Sequence, residues 1–244
     1  MLLRVIDIET TGTEPPAEII EFGFCDVVVD VSGIRVSPPT SWLYRPLNGI
    51  PPETKAVHHL TEADFPADMD PATQRHMQAA IAYAAEPDVL VSHNCAFERI
   101  FLPDAVTGGQ PWICTYKVAL HVWPNAPKHS NQVLRYWREY ALDPALAMPP
   151  HRAGPDAWVT ANILADLLQF ATLEEMINWT AQPKPMPHMT FGKHRGAAWS
   201  DVPLDYLEWI IRQDMDPDIH WHANAEIDRR MSRRSILPSR FAAL

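Results

Sequence analysis

Positive charge is scarce in this chain. Its 244 residues include 20 lysines and arginines against 30 aspartates and glutamates, for a net charge of −10. On whole-chain charge alone this argues against a nucleic-acid binder, but such binding depends on local patches. Arginines gather near the end, at Arg229, Arg230, Arg233, Arg234 and Arg240. Part of the acidity also suits a metal site, whose cations would offset it. Cysteine is nearly absent: Cys25, Cys95 and Cys114 form no C-x-x-C pair. An odd, dispersed set excludes a disulfide framework and a thiolate zinc site. The opening MLLRVIDIETTG has no positive leader, and its apolar run is too short for a signal peptide. No segment approaches the length of a membrane span. These absences point to a soluble, cytoplasmic protein with no membrane partner. Repeats and low-complexity tracts are lacking too. What is present is a 47% apolar content, enough for a real core, in a length suited to one medium domain plus a small one.

The apolar pattern predicts an α/β fold with a mixed sheet. Leu2 to Thr10 reads as a strand that is apolar on both faces until Asp7, as in the centre of a sheet. Ile19 to Asp30 reads as a second strand and Ile34 to Tyr44 as a third. Pro46 to Thr61 reads as a loop and Pro71 to Ala85 as a helix. Asp88 to Ser92 and Pro111 to Thr115 supply two short strands, for five in all. Helices are predicted over Ser130 to Tyr140 and Pro155 to Phe170, with Pro155 in the first turn, where proline is tolerated. The texture changes after Phe170. Residues 1–171 therefore read as the main domain, 172–187 as a proline-rich linker in which Thr172 and Glu175 have capping-box spacing, and 188–244 as a small module.

Acidic residues recur where such a sheet builds its sites. Asp7 and Glu9, two apart on a strand, share a face. Like charges so placed raise each other's pKa unless a cation intervenes, or they are simply solvated at a strand end. Glu98 follows a short strand and opens a helix at the sheet's C-terminal edge. Alone, it reads equally as a first-turn acid favoured by the helix dipole. Asp156 lies in the first turn of the long helix, on the face of Thr160, Ile163 and Leu167, where a carboxylate needs a partner. His151 sits just before it in a proline-rich loop, and by itself reads as a surface histidine.

Taken in order, D-I-E-T-T, H-N-x-x-F-E and H-x-A-x-x-D resemble the DEDD exonucleases of the histidine subclass. Ile50-Pro51 through His58-His59-Leu60-Thr61, Trp112 to Thr115 and Ser130-Asn131-x-x-Leu134 extend the resemblance over about Leu2 to Leu168. Phe191-Gly192-Lys193-His194-Arg195-Gly196 and Tyr206-Leu207-Glu208-Trp209 carry it into the tail, as in the exonuclease X-like group. The resemblance implies a ribonuclease H-like fold and a metal-dependent 3′→5′ exonuclease that releases nucleoside monophosphates from DNA ends. Two Mg²⁺ or Mn²⁺ ions would be held by Asp7, Glu9, Glu98 and Asp156, with His151 as general base. Thr10 and Thr11 would meet the terminal nucleotide, with His58, Asn94 and Phe97 beside them. Family members often form homodimers, and the same expectation extends to this chain. One departure stands out: Glu98 occupies a position where the family has aspartate. It keeps a weakened, merely nucleic-acid-binding reading open, alongside trimming of RNA 3′ ends by the same fold.

In the tail, Lys193 and Arg195 lie between Gly192 and Gly196, placed either to meet a phosphate or as a plain basic turn. The favoured partner is single-stranded DNA or a DNA 3′ end, with RNA as the alternative.

Overall fold

The computed structural model describes residues 1–236, with side chains to residue 232, as two compact units, Met1–Ala181 and Gln182 onward. Arg240 lies outside the described residues, and so do the side chains of Arg233 and Arg234.

In the first unit, β1 (Leu2–Thr10) is the central strand. It pairs antiparallel with β2 (Ile19–Asp30) and parallel with β5 (Val89–Ser92), which pairs parallel with β6 (Trp112–Cys114). β2 is edged by β3 (Gly33–Val36) and β4 (Thr40–Leu43). The sheet thus has six strands rather than the expected five. The stretch Ile34 to Tyr44 breaks at Pro38-Pro39, which cannot donate to a ladder, and pairs with two different parts of β2.

Both faces of the sheet are covered. Leu3, Val5, Cys25 and Val27 pack under α8 (Ala153–Leu167), with Ala157, Ala161, Ile163 and Leu167. On the other face, Ile6, Ile8, Phe22, Phe24 and Leu90 meet Met77 and Ile81 of α2 (Gln74–Ile81). Arg4 is fully buried there. It forms a bidentate pair with its cross-strand partner Asp26 at 2.8 Å and donates to the carbonyls of Ile81 and Tyr83.

The expected loop Pro46 to Thr61 contains a helix, α1 (Pro52–His58), because Pro52 at its first position needs no donor. Short helices α3 (Glu98–Phe101), α4 (Asp104–Thr107), α5 (Thr115–Val122), α6 (Asn131–Trp137) and α7 (Pro144–Ala147) complete the order before α8. The stretch read as a linker begins with α9 (Leu173–Ala181), opened by the Thr172–Glu175 capping box and buried through Met176 and Thr180.

The second unit holds α10 (Leu204–Ile211) and α11 (Pro217–Ile236). Its core is Met186, Met189, Trp199, Val202, Leu207, Ile210 and Ala223. Arg229 and Arg230 are not free cations there: Glu226 accepts from both, and Arg230 also donates to the carbonyls of Ser200 and Val202. Among the described residues no helix is long and apolar enough to cross a membrane.

Candidate active site

Asp7 and Glu9 continue the face that Leu3 and Val5 begin, so the two-residue period of β1 carries the strand from core to carboxylates at its C-terminal end. The antiparallel register sets Asp7 opposite Gly23 and Glu9 opposite Glu21. α8 crosses this face closely. A Cβ on Gly23 would lie 2.2 Å from the carbonyl carbon of Ala153 and 2.5 Å from the nitrogen of Gly154. Only glycine lets the helix start rest on the strand. Asp156, in that first turn, thereby joins the pair, with one carboxylate oxygen each of Asp7, Glu9 and Asp156 lying within 4.8 Å of one another.

So close a group is costly without positive charge. Burial, then the charges of Asp156 and Glu9, hold Asp7 well above the usual carboxylate range. Burial and Asp156 push Glu9 up to about 8. Burial raises Asp156 against the lowering effect of the His151 N–H, which donates to its Oδ2 at 2.7 Å. A donor set made wholly of carboxylate oxygens suits a hard divalent cation, and its proximity relieves this repulsion. The residues therefore fit the metal ions that the acidic pattern implies.

Glu98 lines the same cleft, a space of about 310 Å³, but stands outside the group of three. It is 3% exposed, accepts from Ser92 Oγ at 3.0 Å, and is pushed up to about 8 by burial. His151 is exposed at the rim in a left-handed conformation, φ 58°.

The candidate contacts divide. Thr10 lines the cleft and donates to the Gly12 carbonyl at 2.6 Å. Thr11 instead accepts from the Glu18 N–H and holds the turn after β1. His58 is 2% exposed. Its Nδ1 accepts from the Leu60 N–H at 3.0 Å, so Nε2 carries the proton, and that atom is buried without a partner in the cleft wall. Burial lowers its pKa and keeps the ring neutral. Asn94 reaches the cleft from a left-handed turn, φ 72°. Phe97 lines it while packing on Phe101 at 5.3 Å. Lys193 and Arg195 belong to the second unit and are exposed, Lys193 Nζ lying 5.1 Å from the centre of the Tyr206 ring.

Two residues escaped the sequence reading. Glu21 is a buried acid in an apolar strand, and Arg152 neighbours His151. The one signal was for Glu21, a charge out of place in the apolar β2; Arg152, in the loop before α8, carried none.

Comparison with known proteins gives concordant matches. Residues 5–164 match the family model RNase_T, described as an exonuclease. The chain is 33% identical over 225 residues to Exodeoxyribonuclease 10 of Escherichia coli (strain K12), covering 89% of this chain and 95% of that protein. Exonuclease X in complex with 5′ overhanging duplex DNA matches at 33% identity with a TM-score of 0.58, over 73% of this chain and 99% of that one. The nuclease domain of 3′hExo, a DEDDh family member bound to rAMP, matches at 17% identity with a TM-score of 0.52, over 69% and 92% respectively, and shares the fold.

Proposed function

This chain belongs to the RNase_T exonuclease family, and from that premise we propose that it removes nucleoside monophosphates from the 3′ ends of DNA with the help of two divalent cations, Mg²⁺ or Mn²⁺. The observation that carries the reading is the convergence of Asp7, Glu9 and Asp156 within 4.8 Å. Asp7, Glu9 and Asp156 would hold the cations directly, and Glu98 would act from the cleft wall through water. When bound, such cations activate a water near neutral pH and neutralise charge on the phosphoryl group.

The chain's own residues do the rest. His151 takes the proton of the attacking water as general base, from its place at the rim of the cleft. His58, a neutral Nε2–H donor by virtue of the Leu60 bond, meets a phosphate oxygen of the terminal nucleotide. Thr10 and Asn94 border the space for its sugar, and Phe97 offers a ring edge to its base. The second unit, with exposed Lys193, Arg195 and Trp209, grips the strand farther from its end. The identity to an exodeoxyribonuclease favours DNA over RNA as substrate.

The test is a digest of 5′-labelled single-stranded DNA, duplex DNA and RNA with Mg²⁺, Mn²⁺ or EDTA. A ladder shortening from the 3′ end on DNA, abolished by EDTA and by Asp7→Ala, is expected. Cleavage confined to RNA would replace the substrate. Cleavage of none, with binding retained, would make the Glu98 site a binding site.

A further inference from the structure

Glu21 and Arg152 stand outside the acidic pattern, yet they are joined across 131 residues of chain at the edge of the cleft. Glu21 is 1% exposed and faces Glu9 across the β1–β2 ladder. Its carboxylate accepts from Arg152 Nε at 2.7 Å, from Arg152 Nη2 at 3.1 Å and from the Ala153 N–H at 3.2 Å. Such forked, charge-assisted pairs define direction as well as distance.

The position of the pair decides what it can act on. Arg152 is the residue between His151 and the first residue of α8. His151 holds a φ of 58°, a conformation uncommon for a residue with a side chain and held here by its backbone neighbours. The segment is fastened at each successive residue. His151 donates its backbone N–H to Asp156, Arg152 gives its guanidinium to Glu21, and Ala153 gives its N–H to Glu21. Gly23, two residues along the same face of β2, lets this segment approach the strand. Helix docking alone needs no ion pair, because apolar residues of similar volume secure an element at least as well. A forked pair beside a strained histidine gives orientation, which packing does not.

We propose that Glu21 and Arg152 are positioning residues for the hydrolysis: their pair holds the His151 backbone in the left-handed conformation that keeps the imidazole at the rim of the cleft. This rests on the reading of His151 as general base. Neither residue touches the reacting atoms; both act through His151.

The experiment is a double-mutant cycle on the full chain, measuring kcat and KM on a short single-stranded DNA, with a thermal midpoint for each variant. Arg152→Lys keeps the charge and loses the fork. It should lower kcat roughly ten- to a hundred-fold, the scale of a misplacement near one ångström, while leaving KM within about twofold. Added to His151→Ala, it should cost little more, because residues acting through one another are not additive. Glu21→Gln, of nearly the same shape, should repeat that signature and serves as the second variant if Arg152→Lys lowers the midpoint. Wild-type kcat in both folded variants would overturn the proposal. So would a loss that multiplies with that of His151→Ala, or one confined to KM, as direct contact of Arg152 with a phosphate would produce. Wild-type turnover in His151→Ala alone would instead contradict the general-base reading.

Discussion

Three carboxylates gathered in a buried cleft, each with its pKa raised chiefly by burial, spend stability to create a place for cations, and the sign of that cost can be worked out. Glu9 is held at about 8, above its ordinary 4.5. A folded-state pKa above the unfolded one means that the folded chain binds more protons. The stabilising contribution is fully present below the unfolded value and is lost as pH rises through about 8. The metal-free protein should therefore melt lower at pH 9 than at pH 6 through this site. Cations compete with those protons, so Mn²⁺ should raise the melting temperature more at pH 9 than at pH 6. Fluorimetric melts with Mn²⁺ and with EDTA check this, and an equal shift at both pH values would contradict it. Asp7→Asn removes one of the repelling charges. It should lower kcat by at least about a thousandfold while raising the pH 9 melting temperature of the metal-free chain, the trade expected where a site is built for function rather than stability. Steady-state rates and melts of that one variant measure both. Asp7, Glu9 and Asp156 stood out in the sequence only through the order of three motifs that resemble an exonuclease family, since each alone has a plain structural reading. The pairing of Glu21 with Arg152 did not, since a bond spanning 131 residues leaves no local trace.

At the scale of elements, the site depends on how closely α8 lies on β2. Gly23 is the contact where no side chain fits, and its cross-strand partner is Asp7. Gly23→Ala must move the helix start, because the atoms in the way are backbone. It should destabilise the protein by about 1–3 kcal/mol, as overpacking does, and weaken Mn²⁺ binding by displacing Asp156. Chemical denaturation and calorimetric Mn²⁺ titration are the measurements, and unchanged affinity in the folded variant would show that the carboxylates do not depend on this contact. The elements themselves were readable where one physical signal dominated: the apolar runs of β1 and β2, and the long stretch of apolar residues in α8 opened by Pro155 in its first turn. They were unreadable where signals compete. Pro51-Pro52 suggests a loop, yet begins α1, and Pro38-Pro39 cuts one apparent strand into two. Glycine's role at 23 is invisible without the helix that lies on it.

The whole molecule joins an acidic exonuclease unit to a nearly neutral second unit. The candidate cleft is lined by residues of Met1–Ala181, which reach it from β1, α1, α3 and α8 and from the turns that follow β1 and β5 and precede α8. A chain ending at Ala181 should keep kcat within a few-fold while KM rises at least about tenfold, since phosphate and stacking contacts contribute binding rather than chemistry. Initial rates across substrate concentrations decide it, and equal losses in both constants would assign the second unit a structural role. The proline-rich stretch is the sequence's sign of a boundary near residues 172–187. Composition does not reveal that α9 packs with the first unit through the buried Met176 and Thr180. What the account requires above all is a cation among Asp7, Glu9 and Asp156. Crystals of the full chain soaked in Mn²⁺ and measured at the manganese edge test that directly. Anomalous density bounded by these three carboxylates, and missing in Asp7→Asn, is predicted. Density elsewhere only, in an enzyme that still digests DNA in the same buffer, would contradict the account.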